Sequence, residues 1–265
     1  MCRDDIIRSI SLALQKDERV AALFLSGSLG RGTADRFSDI DLLAIAPRET
    51  HEAIMTDYQS SLAQATSIVF WRQRLAESSL VNTITEDWQR IDLLLTTPER
   101  VQAYSRSAVM PLFDRQNLFD TLPTTSPTPL PNRTRVEFVI NEFIRVLGLL
   151  AVVVGREEYE VGVAGAGLLR AHLSDLLVEA AESAEKGGTL HLARIVSPDQ
   201  RRILHGLPSP HPTRDSVIEA HLATARAFLP YAKKVAAQLG LPWPTNFETA
   251  TWRYLERELG IICPL

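Results

Sequence analysis

The segment from Thr121 to Thr134, TLPTTSPTPLPNRT, constrains this chain more than any other. Its four prolines lack the backbone N–H that a helix interior or a central strand needs, and each fixes φ near the polyproline value. The segment therefore predicts an extended linker, and the 265-residue chain divides around it. Before it, short apolar runs alternate with helical patterns. After it, the pattern is helical throughout. The expected organisation is a domain over 1–120, a linker over 121–133 and a helical domain over 134–265.

In the first part, Ile6, Ile7, Ile10, Leu12 and Leu14 recur at helical spacing. VAALFLS, Val20 to Ser26, is a continuous apolar run of strand length, as a central strand buried on both faces would be. DIDLLAIA is the next strand, RETHEAIMTDYQSSLAQA a helix, and SIVFWR and RIDLLLT further strands. Pro98 and Glu99 have the character of a helix start, proline at the first position and a carboxylate near the positive end. In the second part, TRVEFVINEFIRVLGLLAVVVG predicts one long helix. EEYEVGVAGAGLLRAHLSDLLVEAAESAEK predicts another, stopped by Gly187 and Gly188, with two more around 215–239 and 247–259. The fold class that follows is an α/β domain succeeded by an all-α one.

The chemistry concentrates in FLSGSLGRGTADRFSDIDLLAIA, Phe24 to Ala46. Residues two apart on a strand share a face, so Asp39 and Asp41 project together while Ile40 and Leu42 enter the core. Two like charges at that spacing repel unless a cation joins them. The bland alternative is a solvated strand start. Upstream, Gly27 suits a tight turn where a Cβ would obstruct. Ser28 then opens a short helix whose free N–H groups can hold phosphate oxygens, with Arg31 three residues on and on the same side. A phosphate cradle beside paired carboxylates is equipment for metal-assisted phosphoryl or nucleotidyl transfer. Asp92 interrupts an otherwise apolar strand. If that strand lies beside 39–46, Asp92 completes a cluster of three carboxylates; the alternative is an ion pair with Arg90 or another base.

Gly27-Ser28, then Asp39-Ile40-Asp41, then an acid on a later strand together resemble the DNA polymerase β-type nucleotidyltransferase superfamily. The resemblance implies a catalytic domain of α+β type with a mixed central sheet. It implies that Gly27 and Ser28 bind a nucleoside triphosphate, whose phosphates Arg31 is spaced to reach as well. It further implies that Asp39, Asp41 and Asp92 hold two Mg²⁺ ions and that Asp92 helps activate an acceptor hydroxyl. The length, the Pro-rich join, the DERV lead-in and the helical half with GREEYEVG are similar to linB-type lincosamide and aminoglycoside nucleotidyltransferases. That likeness implies a small hydroxyl-bearing acceptor such as an antibiotic, ATP as the triphosphate, and a glutamate after the third strand as general base. Glu99 is the nearest such residue, so both Asp92 and Glu99 stand as candidate bases.

Other features narrow the choice of partner. A formal charge of −4 argues against a nucleic-acid polymer as substrate and permits a cationic small molecule. Glu157, Glu158 and Glu160 around Tyr159 read either as a favourable, solvated helix start or as an acidic wall for a cationic acceptor. Glycines 162, 165 and 167 in GVAGAG superficially resemble a dinucleotide-binding turn, but no strand precedes them, and small residues for close helix packing explain them better. The sequence contains neither HExxH nor GxxxxGK[ST], the zinc-protease and P-loop signatures. Cys2 and Cys263 have no metal-ligand spacing and fit a reducing cytoplasm, although two cysteines can pair. The opening MCRDDIIRSISLALQKDE lacks the uncharged core of a signal peptide, and VLGLLAVVVG (146–155) is too short to span a bilayer. The expectation is a soluble cytoplasmic monomer or homodimer. Two rivals remain at this level, a nucleotidyltransferase acting on protein or RNA and a catalytically silent nucleotide- or partner-binding module.

Overall fold

Apolar runs that no solvent-facing strand would carry form the middle of a six-stranded mixed sheet in the computed structural model, which describes residues 2–125, 130–181 and 192–263. The strands are β1 (Ala22–Leu25), β2 (Ile40–Ile45), β3 (Ile68–Arg74), β4 (Ser79–Thr85), β5 (Arg90–Thr96) and β6 (Met110–Asp114), in the order β3-β4-β5-β2-β1-β6. β2 and β5 run parallel and every other neighbouring pair is antiparallel. All four residues of β1 are buried, as its uninterrupted apolar run requires.

Helices α1 (Arg3–Lys16) and α3 (His51–Ala65) cover one face. Ile6, Ile10, Ile54, Tyr58 and Leu62 pack there against Ile40, Leu42, Ile91 and Leu93. Leu12, expected on that face of α1, is exposed, because the buried stripe follows Ile6, Ile10 and Leu14. The opposite face carries a smaller core, in which Phe24, Leu43 and Ile45 meet Val101, Val109 and Leu122, with Leu94, Tyr104 and Phe119 packed around them. The Phe24 and Phe119 rings meet edge-on at 6.2 Å.

Two strands escaped the sequence reading for physical reasons. β4 turns Ser79, Thr83 and Thr85 inward with Val81 and leaves Leu80 and Ile84 half-exposed, so its polarity runs against the usual rule. Ser79 is satisfied inside because its hydroxyl meets Nδ1 of the buried His51 at 3.0 Å. β6 contains Pro111 and lies at the sheet edge, where a missing N–H is tolerated. Pro98 and Glu99 lie in a turn before a single 3₁₀ turn, Val101–Ala103, and start no α-helix.

The chain divides into two units, Met1–Pro127 and Thr128–Leu265. The first extends past the expected boundary at 120. Helix α4 (Leu118–Thr121) belongs to it, Leu122 is buried in its smaller core, and the carbonyls of Pro123 and Thr124 accept from the N–H groups of Arg106 and Ser107. Residues 126–129 of the expected linker lie outside the described residues.

In the second unit, α5 (Arg133–Gly148), α6 (Leu150–Gly155), α7 (Tyr159–Glu179), α8 (Leu192–Ile195), α9 (Pro198–Gly206), α10 (Arg214–Gln238) and α11 (Thr245–Leu259) build a helical bundle. The long helix expected over 134–155 is divided at Leu149. Gly187 and Gly188, expected to stop α7, lie outside the described residues. Phe143 of α5 and Phe228 of α10 stack at 3.7 Å in its core. A Cβ at Gly162 would fall 2.6 Å from Val217 and one at Gly165 3.2 Å from His221, so these two glycines of GVAGAG serve the approach of α7 to α10, whereas Gly167 faces open space. Arg133–Gly155 and Tyr159–Glu179 are each apolar and long enough to cross a membrane by length and composition, so the run at 146–155 belongs to a longer apolar stretch than its own length suggested. Their buried residues, among them Phe143, Leu147, Leu169 and Leu173, pack into the bundle core.

Candidate active site

The site is assembled where β1 gives way to a turn. The Ser26 N–H donates to the Asp41 carbonyl at 2.8 Å, which ties the end of β1 to the start of β2. Gly27 then takes φ +56°, a left-handed conformation that side chains with a Cβ resist. An added Cβ would lie 1.8 Å from Asp41 Oδ2, so the absence of a side chain at Gly27 is what makes room for the Asp41 carboxylate. The turn continues into the single-turn helix α2 (Gly27–Gly30). Ser28 is 5% exposed, and its buried Oγ has no hydrogen-bond partner among the described residues. Arg31 follows directly, close enough for its charge to favour the ionised Asp41.

The loop to β2 is held by its own side chains: Asp35 Oδ1 accepts from the Phe37 N–H at 2.9 Å, and the Asp35 N–H donates to Ser38 Oγ at 2.9 Å. It delivers Asp39 just before β2 and Asp41 within it. The parallel pairing of β2 with β5 sets Asp41 opposite Asp92. Both acids are half-buried on the face opposite α1 and α3, since their neighbours Ile40, Leu42, Ile91 and Leu93 enter the larger core. Burial pushes the Asp41 carboxyl up to about 6, and the charges of Asp39 and Asp92 push it the same way.

Each flanking acid has a partner. Asp39 pairs with Arg90 at 3.5 Å, and Asp92 Oδ1 accepts from Asn82 Nδ2 at 2.9 Å. Arg90, weighed from sequence as a partner for Asp92, thus serves Asp39 instead. Asn82 went unnoticed with its strand; the signal was an amide in the middle of SLVNTIT. Among the described residues no three His, Cys, Asp or Glu side chains converge as a ready-made metal centre. The donor set nevertheless fits a hard cation: carboxylate oxygens are the ligands Mg²⁺ prefers, and the charges of Asp39 and Asp92 beside the ionised Asp41 favour one there.

Glu99 lies elsewhere. Asp92 is near the start of β5 and Glu99 beyond its end, and five extended residues span about 16 Å. Its carboxyl is exposed and held below the usual range by a hydrogen bond with Thr97. It lines a recess of about 510 Å³ with Ser78, Thr96 and Tyr104. Glu157, Tyr159 and Glu160 belong to the second unit, at the start of α7. Both glutamates are exposed, and Tyr159 is half-buried against the helical core.

Residues 2–258 match the family described as streptomycin adenylyltransferase. No curated protein matches the chain. Among solved structures, it is similar to an aminoglycoside 6-adenyltransferase from Bacillus subtilis, with 14% identity, 96% of each chain covered and a TM-score of 0.43. It is also similar to a nucleotidyltransferase-like protein from Exiguobacterium sibiricum 255-15, with 15% identity, 98% of this chain and 89% of that one covered, and a TM-score of 0.38.

Proposed function

The chain belongs to the streptomycin adenylyltransferase family, and from that premise we propose that it transfers AMP from ATP to a hydroxyl of an aminoglycoside-class antibiotic, releasing pyrophosphate. The observation that carries the proposal is the parallel register that sets Asp41 opposite Asp92, one turn from the Gly27–Ser28 cradle.

The Ser28 hydroxyl and the N–H groups of the Gly27 turn bind the triphosphate, and the Arg31 guanidinium offsets its charge. Asp39, Asp41 and Asp92 would hold divalent cations, two Mg²⁺ in the full complement, which supply Lewis acidity at the phosphate and at the acceptor oxygen. Asp92 orients the acceptor hydroxyl and takes its proton as the oxygen attacks the α-phosphorus. The bond from that phosphorus to the bridging oxygen breaks, and the pyrophosphate leaves on the side of Ser28 and Arg31. Asp92 is preferred to Glu99 as base because Glu99 sits beyond the far end of β5 with its carboxylate engaged by Thr97. With ATP as co-substrate and Mg²⁺ as cofactor, the compartment this reading implies is the cytoplasm.

The test is transfer of label from α-labelled ATP, with Mg²⁺, across aminoglycosides, lincosamides, a protein mixture and RNA. Label on an aminoglycoside is the expected result. Asp39→Asn and Asp41→Asn lose about 10²–10³-fold in turnover while remaining folded, a loss of the size seen when a charge-stabilising group is removed. Wild-type protein that labels no acceptor, or either variant at full turnover, overturns the reading.

A further inference from the structure

Four strands carry a row of polar side chains in register. Arg72 pairs with Asn82, Asn82 with Asp92 and Asp92 with Asp41 across β3, β4, β5 and β2. The row is bonded along most of its length. Arg72 Nε and Nη2 both reach Asn82 Oδ1, at 3.2 and 2.9 Å, and Asn82 Nδ2 reaches Asp92 Oδ1 at 2.9 Å. A guanidinium has only donors, so the amide oxygen must face Arg72 and the NH₂ group must face Asp92. The Arg72 fork thereby fixes which way the amide points.

We propose that Asn82 is a positioning residue for the transfer reaction: clamped by Arg72, it holds Oδ1 of Asp92 and so aims Oδ2 at the acceptor hydroxyl. The inference rests on the proposed function, in which Asp92 is the base. A free aspartate swings about χ1 and χ2 between rotamers. Tethering one oxygen removes that freedom and leaves the other oxygen for chemistry. Arg72 touches no reacting group and acts only through the amide, while Asn82 acts only through Asp92.

This chain of dependence sets the experiment. Asn82→Asp keeps the size of the side chain and its pairing with Arg72 but replaces the donor facing Asp92 with a repelling carboxylate. If Asn82 merely filled space, Asn82→Asp would be harmless and Asn82→Ala the worse variant. Positioning reverses the order. Asn82→Ala is expected to lower kcat about 10–100-fold, the cost typical of lost outer-shell partners, with KM for ATP within about twofold, and Asn82→Asp to lower it further. Arg72→Ala lowers kcat less, and the Arg72→Ala/Asn82→Ala double variant matches Asn82→Ala alone, because the second loss has nothing left to act through. Additive losses, or Asn82→Asp at wild-type kcat while Asp92→Asn is inactive, overturn the inference and leave the functional reading standing. Wild-type protein that transfers no label overturns the functional reading instead. Side-chain amide resonances, assigned by their absence in Asn82→Ala, report the contact without turnover. The Asn82 NH₂ signal shifts in Asp92→Ala if the tether exists, and an unmoved signal overturns it.

Discussion

Replacing Gly27 with alanine tests the central claim that an absent side chain makes room for Asp41. Two costs separate cleanly. The first is backbone strain: at φ +56° an L-residue pays about 1–2 kcal/mol, of which the stiffer unfolded chain returns about 0.4–1 kcal/mol. The second is the clash. The new Cβ falls 1.8 Å from Asp41 Oδ2 and 2.7 Å from its Cγ. Restoring ordinary contact moves the carboxylate by about 1.5 Å or more. Misplacement of a catalytic group by about 1 Å can cost 10²-fold.

Gly32 supplies the control. It also has positive φ, +70°, but an added Cβ there meets nothing within 4 Å. Gly32→Ala therefore carries the strain without the clash. Gly32→Ala is expected to melt about 2–4 °C lower, the shift for roughly 1 kcal/mol in a chain of this size, and Gly27→Ala lower still because the clash adds to the strain. Only Gly27→Ala is expected to lose about 10²-fold or more in kcat/KM, measured by transfer from α-labelled ATP beside scanning calorimetry. Equal activity in the two variants refutes the assignment of Gly27 as the space-maker for Asp41, whatever their melting temperatures.

Three further outcomes follow from the same geometry. Ser28→Ala removes a buried hydroxyl without a hydrogen-bond partner among the described residues, so the nucleotide-free protein is expected to melt no lower, while Mg-ATP binding by calorimetry weakens about 10-fold or more, the worth of a hydrogen bond to a charged group. Asp41 has its carboxyl raised to about 6. The folded state thus binds a proton that the unfolded chain, with its ordinary value near 3.8, releases earlier. Without divalent cations, this contribution to stability is full below about pH 4 and is lost as pH rises through about 6. Asp41→Asn should flatten that part of the melting-temperature profile, and an unchanged slope would assign it to other groups. In α7, Gly162→Ala forces a methyl to 2.6 Å from Val217 and should destabilise by about 1–3 kcal/mol, whereas Gly167→Ala, with open space around it, should stabilise by up to about 1 kcal/mol; chemical denaturation reads both.

What could be read from the sequence depended on whether a residue's role was local. β1, β2 and β5 were legible because unbroken apolar runs such as ALFL and LLAI have few other uses. Strand periodicity also set Asp41 on the face opposite Ile40 and Leu42, while Asp39 lies just before the strand. The neighbour of Asp92 did not follow from periodicity, since β2 and β5 are separated in sequence by a helix and two strands and pair only through the sheet order. β4 was hidden because its inward positions are polar, one of them answered by His51 from α3. Leu122 looked like linker by composition, yet it is buried, because a single apolar side chain in a proline-rich stretch suffices to fasten it. Glu99 was near Asp92 in sequence and far along the strand, a distinction that counting residues without knowing where β5 ends cannot make.

The placement of the acids along their strands resolves the tension between charge and core. On the face that carries them, β2 reads Asp41, Leu43, Ile45 and β5 reads Asp92, Leu94. The later residues enter the smaller core under Phe119 and Tyr104, while the acids at the strand starts stay half-buried. One face is therefore apolar at one end and ionisable at the other, and no strand has to be broken to achieve it. The same arrangement makes the site a reporter of register. A slip of one residue between β5 and β2 would turn Asp92 into the larger core and Ile91 or Leu93 toward Asp41. The apolar residues that alternate with the acids exclude that slip, because Ile91 and Leu93 are fully buried and would have to surface. The core residues thus set the alignment of the carboxylates, and through Asn82 the alignment reaches as far as β3.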